Sequence, residues 1–392
     1  MASNANPVPD IRSLAAVIAT AAIIGVGNSM QPPLISIRLE EAGLSTGWNG
    51  LLAAMPSMAI LAVGACFPIA LKRHGPLFTF YACTALAILC LLIFPFTDSY
   101  WIWALLRLVM GATLGLQWVI SESWINSLAA GPRHGTILGL YVAVFSAGLA
   151  VGPFLLSLIG TTGYLSFVVC AGIYAVCGLP LPLAQKMKKL PDHQRPLPLG
   201  TVLRLAPAEN IGSFVNGATW GSLLALFPLY AMHLGRGSDD ALRFVTAMCV
   251  GSLISQPLIG RAIDRLSPRR VLMATGMVQI LISLVLATAV VSNLGAWPLL
   301  LAWGASIGGI YTASLTGLGT RFPEADLPAA STAFTMVWEA GALAGPLFIG
   351  VAMLGWDPHG LAVITGLLGA VLSLACLRPG KVTATVEDIS NQ

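Results

Sequence analysis

Charged side chains are scarce in this chain of 392 residues. Only 9% of the residues are Asp, Glu, Lys or Arg, whereas 56% are hydrophobic and the mean hydropathy is +0.83. A soluble domain carries about 25% charged residues because its surface faces water. This chain has too few charges to cover such a surface, so lipid is expected to be its main solvent.

Motifs of motors and hydrolytic enzymes are also absent. The sequence contains no GxxxxGK[ST] phosphate loop, and neither HExxH nor GxSxG occurs. The histidines all lie in predicted loops or at the ends of apolar runs: His74, His134, His193, His233 and His359. We therefore predict that the chain is not an enzyme and that any pumping draws on an ion or solute gradient.

The seven cysteines form no CxxC pair and no Cys/His cluster with zinc spacing. All of them lie inside apolar runs, where a thiol packs as a small apolar side chain. The basic residues form no cluster typical of nucleic-acid binding. We predict no disulfide, no metal site, no cofactor and no nucleic-acid partner.

Twelve apolar runs are long enough to cross a membrane. A spanning helix needs about 20 mostly apolar residues, because each residue rises about 1.5 Å through a hydrocarbon core about 30 Å thick. The predicted spans are residues 13–37, 47–71, 77–96, 100–125, 135–160, 164–184, 206–232, 241–262, 270–291, 297–319, 329–354 and 360–377.

A polar stretch with five cations separates the sixth span from the seventh and predicts two six-helix halves. The predicted divisions are an N-terminal tail (1–12), a six-helix bundle (13–184), a linker (185–205), a second six-helix bundle (206–377) and a C-terminal tail (378–392).

The distribution of Lys and Arg orients the spans, because cationic residues mark the cytoplasmic side. With the N-terminus inside, sixteen of the 20 Lys and Arg residues fall on the cytoplasmic side and three on the other. The remaining one, Arg107, lies within a span. We predict an inner (plasma) membrane protein with both termini and both tails in the cytoplasm.

Glycines recur at a constant offset of 193 residues and indicate an internal repeat. Those of the fourth and fifth spans recur in the tenth and eleventh: Gly111 with Gly304, Gly115 with Gly308, Gly148 with Gly341, and Gly152-Pro153 with Gly345-Pro346. Glycines spaced four residues apart let helix backbones approach closely. Two parallel repeats around an axis normal to the membrane are a known transporter plan. The fold predicted is an all-α membrane protein of two pseudo-symmetric six-helix bundles.

The motifs in these spans resemble those of the major facilitator superfamily. The loop from Gly260 to Arg270 is similar to its GxxxDR…RR motif, and Arg107, Gly111 and Gly115 resemble its RxxxGxxxG pattern. The segment from Arg107 to Asn126 is similar to the bacterial YcaD-like permeases. The Gly148…Gly152-Pro153 segment resembles part of an exporter motif, but Phe154-Leu155 replaces its terminal glycine pair, so transport direction stays open.

Two charged residues inside spans are candidates for proton coupling. Glu339 lies near the middle of the eleventh span, where a charge costs about 2.5–3.5 kcal/mol on insertion scales. It is interpreted as a proton-coupling or cation-binding carboxyl, or alternatively as a neutral acid that bonds two helices. The resemblance implies that Arg107 takes part in proton coupling or orients helices through backbone carbonyls, and structural pairing is the alternative.

Two ion pairs are predicted as a cytoplasmic gate. Glu122 is assigned to Arg73 in the first half, and Asp264 with Arg265 forms the comparable pair in the second. Such pairs bias alternating access if they form in only one state. The alternative is that Glu122 is a solvated carboxylate at the headgroup level.

The resemblance implies that spans one, four, seven and ten line the substrate cavity. Together with Trp338 beside Glu339, their polar and aromatic residues are the predicted lining: Asn28, Gln31, Gln117, Asn216, Trp220 and Tyr311. Hydrogen bonding between helices is the alternative explanation for each polar residue.

A secondary active transporter for a small organic solute, coupled to protons, is the function that these features favour. The expected partners are the solute, protons and the lipid bilayer, and the expected state is a monomer. Few cavity charges argue against phosphorylated substrates. An uncoupled facilitator, and a non-transporting sensor or assembly subunit on a transporter scaffold, remain alternatives.

Overall fold

The computed structural model describes residues 11–128, 134–183, 198–323 and 326–377, and every regular element in these ranges is helical. The helices are α1 (Ile11–Glu41), α2 (Thr46–Val63), α3 (Phe67–His74), α4 (Pro76–Ile93), α5 (Tyr100–Leu128), α6 (His134–Ile159), α7 (Leu165–Cys177), α8 (Leu199–Leu205), α9 (Pro207–His233), α10 (Ser238–Leu266), α11 (Pro268–Val291), α12 (Asn293–Gly319), α13 (Leu327–Gly355) and α14 (Gly360–Leu377). Three short 3₁₀ turns accompany them: Gly64–Cys66, Phe94–Phe96 and Leu181–Leu183.

Ten helices within these ranges are long and apolar enough to cross a membrane. The predicted sixth span contains α7, which has 13 residues and is followed by the 3₁₀ turn Leu181–Leu183. The predicted seventh span contains α9, whose 27 residues include Glu209, Asn210 and Asn216 at buried positions. These polar side chains face other helices and dilute the apolar character of α9.

Two predicted segments differ in detail from the structure. The second span, predicted as continuous over residues 47–71, is interrupted by the 3₁₀ turn Gly64–Cys66 between α2 and α3. The last part of the predicted linker 185–205 forms the helix α8. The rest of that linker up to residue 197, the C-terminal tail 378–392 and residues 1–10 of the N-terminal tail lie outside the described residues.

Contacts between helix ends define two faces of the bundle. Arg321, just after α12, donates from Nε to Oε1 of Glu209 at the start of α9, at 2.8 Å. Arg236, just after α9, donates to the carbonyls of Val290 and Val291 at the end of α11. We name the face where α1 begins and α14 ends the terminal face, and the other the opposite face. The charge distribution predicts that the terminal face is cytoplasmic.

The repeated glycines make the same helix contact in each half. A Cβ atom on Gly111 of α5 would overlap the backbone of Pro56 in α2, and one on Gly304 of α12 would overlap the Met248 carbonyl in α10. Similarly, Gly148 of α6 abuts Ala22 of α1. The equivalent contact joins two further residues, Gly341 of α13 and Phe214 of α9. These equivalent contacts confirm the predicted pseudo-symmetric bundles.

The close approach at Gly304 gives a stability prediction. Gly304→Ala is expected to lower the midpoint of thermal unfolding of the detergent-solubilised protein, because overpacking costs about 1–3 kcal/mol and a backbone carbonyl cannot turn aside. Gly172→Ala is the matched control, since a Cβ there meets no atom within 4 Å and alanine favours the helix. Equal midpoints for the two variants, measured by scanning fluorimetry, would show that Gly304 is not a packing constraint.

Candidate functional site

The two halves meet closely on the opposite face, where α2 packs against α13. The Thr46 hydroxyl donates to the Gly350 carbonyl at 3.2 Å. A Cβ on Gly50 would overlap the Pro346 carbonyl, and Gly47 lies against the Leu354 side chain. Direct backbone contact leaves no passage for a solute between these two helices at this end.

A charged cluster also joins the halves on the opposite face. His233 at the end of α9 faces Glu40 of α1 through Nε2, 2.7 Å from Oε1, and Asp357 through Nδ1, 2.5 Å from Oδ1. The second oxygen of Glu40 is buried and has no hydrogen-bond partner among the described residues. Because both ring nitrogens face carboxylate oxygens, the imidazole satisfies both contacts only when it is doubly protonated.

The charge of His233 follows from its surroundings. The residue lies just beyond the apolar stretch of α9, and its side chain is 21% exposed. Burial lowers the pKa of His233, but the hydrogen bonds and charges of Asp357 and Glu40 outweigh this and raise it above its ordinary value. The Glu40–His233–Asp357 cluster is therefore most stable with a cationic imidazole.

Toward the terminal face, Glu122, Tyr141 and Tyr311 mark the region where the two halves face each other, which we call the crevice. Glu122 of α5 lies within electrostatic range of the phenol of Tyr141 in α6 and of Tyr311 in α12 of the other half. Both Glu122 and Tyr311 are accessible, although protein surrounds them on most sides. Side chains that are accessible and yet deep are those expected to line a crevice.

Aromatic side chains form pairs beside these residues. The rings of Trp118 and Phe145 meet edge to face with centroids 5.0 Å apart, and both side chains are half-buried. In the other half, Tyr311 meets Phe334 edge to face at 5.9 Å. Edge-to-face geometry leaves part of a ring face free for another partner.

Glu339 lies deeper, on α13. The hydroxyl of Ser57 in α2 faces its carboxyl group, so the residue sits between the two halves. Its Oε2 atom is buried without a hydrogen-bond partner among the described residues. A carboxylate with an unpaired buried oxygen is costly, and protonation or cation binding would relieve that cost.

The predicted cavity residues of the second half form a small polar network. Asn216 of α9 donates to the Ile307 carbonyl at 2.7 Å, and its Oδ1 accepts the indole N–H of Trp338 at 2.8 Å. Trp220, one turn further along α9, is half-buried. The structure thus brings Asn216 and Trp338 together beside Glu339.

Two of the predicted cavity residues lie inside the first half. Gln117 is fully buried and donates to the Thr84 hydroxyl of α4 at 2.9 Å. Gln31 is 5% exposed and donates to the Tyr174 hydroxyl of α7 at 2.5 Å. Neither faces the crevice in this structure, because each amide bonds to a helix of its own half. Asn28 on α1 is half-buried.

Arg107 is also buried within the first half, at 5% exposure. Its Nε points to the Leu52 carbonyl of α2 at 3.5 Å, and its charge lies within range of Tyr174. This placement agrees with the helix-orienting alternative. Its predicted part in proton coupling stays a prediction.

Neither predicted gate pair is formed in this structure. Arg73 is exposed, and no ion pair joins it to Glu122 among the described residues. Asp264 and Arg265 are likewise exposed, and neither forms an ion pair with a described residue. Both pairs were predicted to form in only one state, so they remain predictions for another conformation.

The sequence did not reveal the Glu40–His233–Asp357 cluster or the place of Ser57. The partners in the cluster are 193 and 124 residues apart, and no local spacing connects them. One signal was present, since His233 follows an apolar span directly. Nothing in the sequence distinguishes Ser57 from other small residues of a spanning helix.

Comparison with known sequences identifies the family of this chain. The model of the Major Facilitator Superfamily matches residues 17–235 and residues 210–391. The uncharacterized MFS-type transporter YfkF of Bacillus subtilis is 26% identical over 336 residues, which cover 83% of this chain and 84% of the relative. The uncharacterized MFS-type transporter YcaD of Escherichia coli is 23% identical over 282 residues, covering 71% and 73%. The predicted resemblance to YcaD-like permeases is confirmed.

Solved structures show the same architecture. A point mutant of the nucleoside transporter NupG superposes with a TM-score of 0.75 and 12% identity, over 94% of this chain and 98% of that chain. The structure of NupG itself gives a TM-score of 0.73 at 13% identity, with the same coverage. At such low identity, the likeness establishes the fold.

Proposed function

Because this chain belongs to the major facilitator superfamily, we propose that it is a secondary active transporter that couples a small organic solute to protons by alternating access. The family establishes a multi-pass membrane protein that transports small molecules. Coupling to protons and alternating access are the further steps proposed here.

The arrangement of the two faces supports alternating access. The opposite face is closed by the contacts of Thr46 and Gly50 with α13 and by the Glu40–His233–Asp357 cluster. The crevice at Glu122 and Tyr311 is accessible toward the terminal face. Closure at one end with access at the other is what a carrier requires in one of its two states.

The proposal of proton coupling rests on a single observation, the position of Glu339. It lies twelve residues into α13, about 18 Å along the helix at about 1.5 Å per residue, and so near the membrane midplane. There it stands between the halves beside Ser57, with one oxygen unpaired. A proton on this carboxyl would change the charge at the point where the halves move against each other.

Proteoliposomes containing the full chain provide the test. A panel of labelled small solutes would be offered with and without an imposed pH gradient, while an internal dye reports proton movement. We expect at least one solute to move faster with the gradient and to lose that advantage when a protonophore is added.

Two outcomes would overturn the proposal in different ways. Flux that ignores the pH gradient would identify an uncoupled facilitator. Solute and dye traces equal to those of empty liposomes across the panel would favour a sensor or assembly subunit on a transporter scaffold.

A further inference from the structure

We propose that the solute is an organic cation with an aromatic or apolar body, bound in the crevice by Glu122 and the aromatic pairs beside it. This inference rests on the transport function proposed above and names the chemical class of the solute.

The sign of the accessible charge is the first argument. Glu122 is accessible and forms no ion pair within the described part of the chain. Arg107 precedes Glu122 by about 22 Å along α5, and it is 5% exposed and faces the Leu52 carbonyl. A cleft whose accessible charges have one sign concentrates ligands of the other sign.

The second carboxyl adds to this negative potential. Glu339 lies about 18 Å along α13 from the terminal face, and Glu122 lies about 9 Å from the end of α5 at that face. The two carboxyls therefore sit at different depths between the halves. A cation entering from the terminal face meets Glu122 first.

The aromatic side chains supply the third argument. Trp118 and Phe145 on one side and Tyr311 on the other flank the level of Glu122 from both halves, and the buried Phe334 packs against Tyr311. A cation over a ring face gains about 0.5–2 kcal/mol, most where water is excluded. Among the described residues no cation lies over these rings, which favours a cationic ligand that also has apolar surface to bury.

The same geometry disfavours anions. Phosphate and carboxylate ligands are recognised by Arg forks and Lys ammonium groups. Among the described residues, Arg321 is paired with Glu209 near the terminal face, and Arg107 is buried against a carbonyl. Within the described ranges, neither of these two cations is free to bind an anionic solute beside Glu122.

A pair of ligands with the same shape tests the charge directly. Phenyltrimethylammonium is a cation, and tert-butylbenzene is its neutral isostere. Binding of each to the purified full chain in detergent would be measured by calorimetry or by quenching of tryptophan fluorescence. We expect the cation to bind at least about tenfold more tightly than the isostere, about 1.4 kcal/mol.

Three variants connect this preference to the site. Glu122→Gln is expected to remove most of the preference, whereas Glu122→Asp retains the charge and most of the preference. Asp98→Asn changes an exposed carboxylate on the opposite face and is expected to leave the preference unchanged. A folded elution profile and an unchanged unfolding midpoint would show that Glu122→Gln has not simply unfolded.

Equal binding of the two ligands, or a preference that survives Glu122→Gln, would overturn the proposed solute class. That result leaves the transport function intact if another solute moves with a pH gradient in proteoliposomes. Conversely, binding of the cation that depends on Glu122, without flux of any solute, would support the ligand class and refute transport.

Discussion

Glu339→Gln is expected to abolish the acceleration of solute flux by a pH gradient, while exchange of solute down its own gradient continues. Glutamine has nearly the same shape and can still contact Ser57, but it cannot release or accept a proton at transport pH. We expect gradient-driven flux to fall at least about tenfold, because glutamine cannot bind and release the coupled proton. The measurement is uptake with and without an imposed pH gradient in proteoliposomes.

Two variants make this result specific. Glu339→Asp keeps a titrating carboxyl and is expected to retain part of the coupling, reduced because the group is one methylene further from Ser57. Asp98→Asn should behave as the wild type, since Asp98 is exposed on the opposite face. If Glu339→Gln kept full coupling, the carboxyl would have a structural role and another group would carry the proton.

The second large effect concerns the Glu40–His233–Asp357 cluster. Because its partners raise the pKa of His233, the cationic form that closes the opposite face prevails below this raised pKa. The stabilisation is fully present below the ordinary histidine value of about 6.5 and is lost as pH rises through the raised value. We therefore expect the opposite face to open more readily at about pH 8 than at about pH 6.

Labelling of a cysteine at Thr46 would report this opening, because Thr46 is buried at the contact with Gly350. The rate at which this cysteine reacts with a membrane-impermeant maleimide would be measured in a Cys66→Ser background. That rate would be divided by the reaction rate of a cysteine that replaces the exposed Asp98. This ratio removes the rise of thiol reactivity with pH. His233→Gln should give a high ratio that no longer depends on pH.

His359→Gln serves as the control for that experiment, since His359 is exposed on the same face. Its ratio should keep the pH dependence of the parent. A His233→Gln protein that labelled as slowly as its parent at about pH 6 would show that backbone contacts alone close this face.

The sequence predicted the helix contacts inside each half much better than the contacts between halves. Gly111 and Gly304 stand in equivalent positions because a repeat preserves local packing, and the structure places each against a neighbouring backbone. The glutamines show the limit of such reasoning. The family resemblance assigned Gln117 to a lining helix, yet its amide donates to the Thr84 hydroxyl of α4. Which neighbour a polar side chain faces depends on helix rotation, and spacing along one helix does not determine that rotation.

The difference in hydropathy between spans has the same origin. Helix α9 has buried polar residues because it packs against helices on several sides, where Asn216 and Glu209 find partners. The mean hydropathy of a sequence window measures compatibility with lipid and does not include hydrogen bonds to neighbouring helices. The charged cluster at His233 escaped prediction for a related reason, because Glu40 belongs to one half and His233 and Asp357 to the other.

Most of the strong polar bonds in the spans stay within one half. Gln31 bonds to Tyr174 in the first half, and Gln279 bonds to Thr219 and to the Thr365 carbonyl in the second. Hydrocarbon cannot replace a broken hydrogen bond, so a sliding surface rich in such bonds would be locked in place. Because the amide groups of Gln31 and Gln279 donate within their own halves, the tilting proposed above would break neither of these bonds.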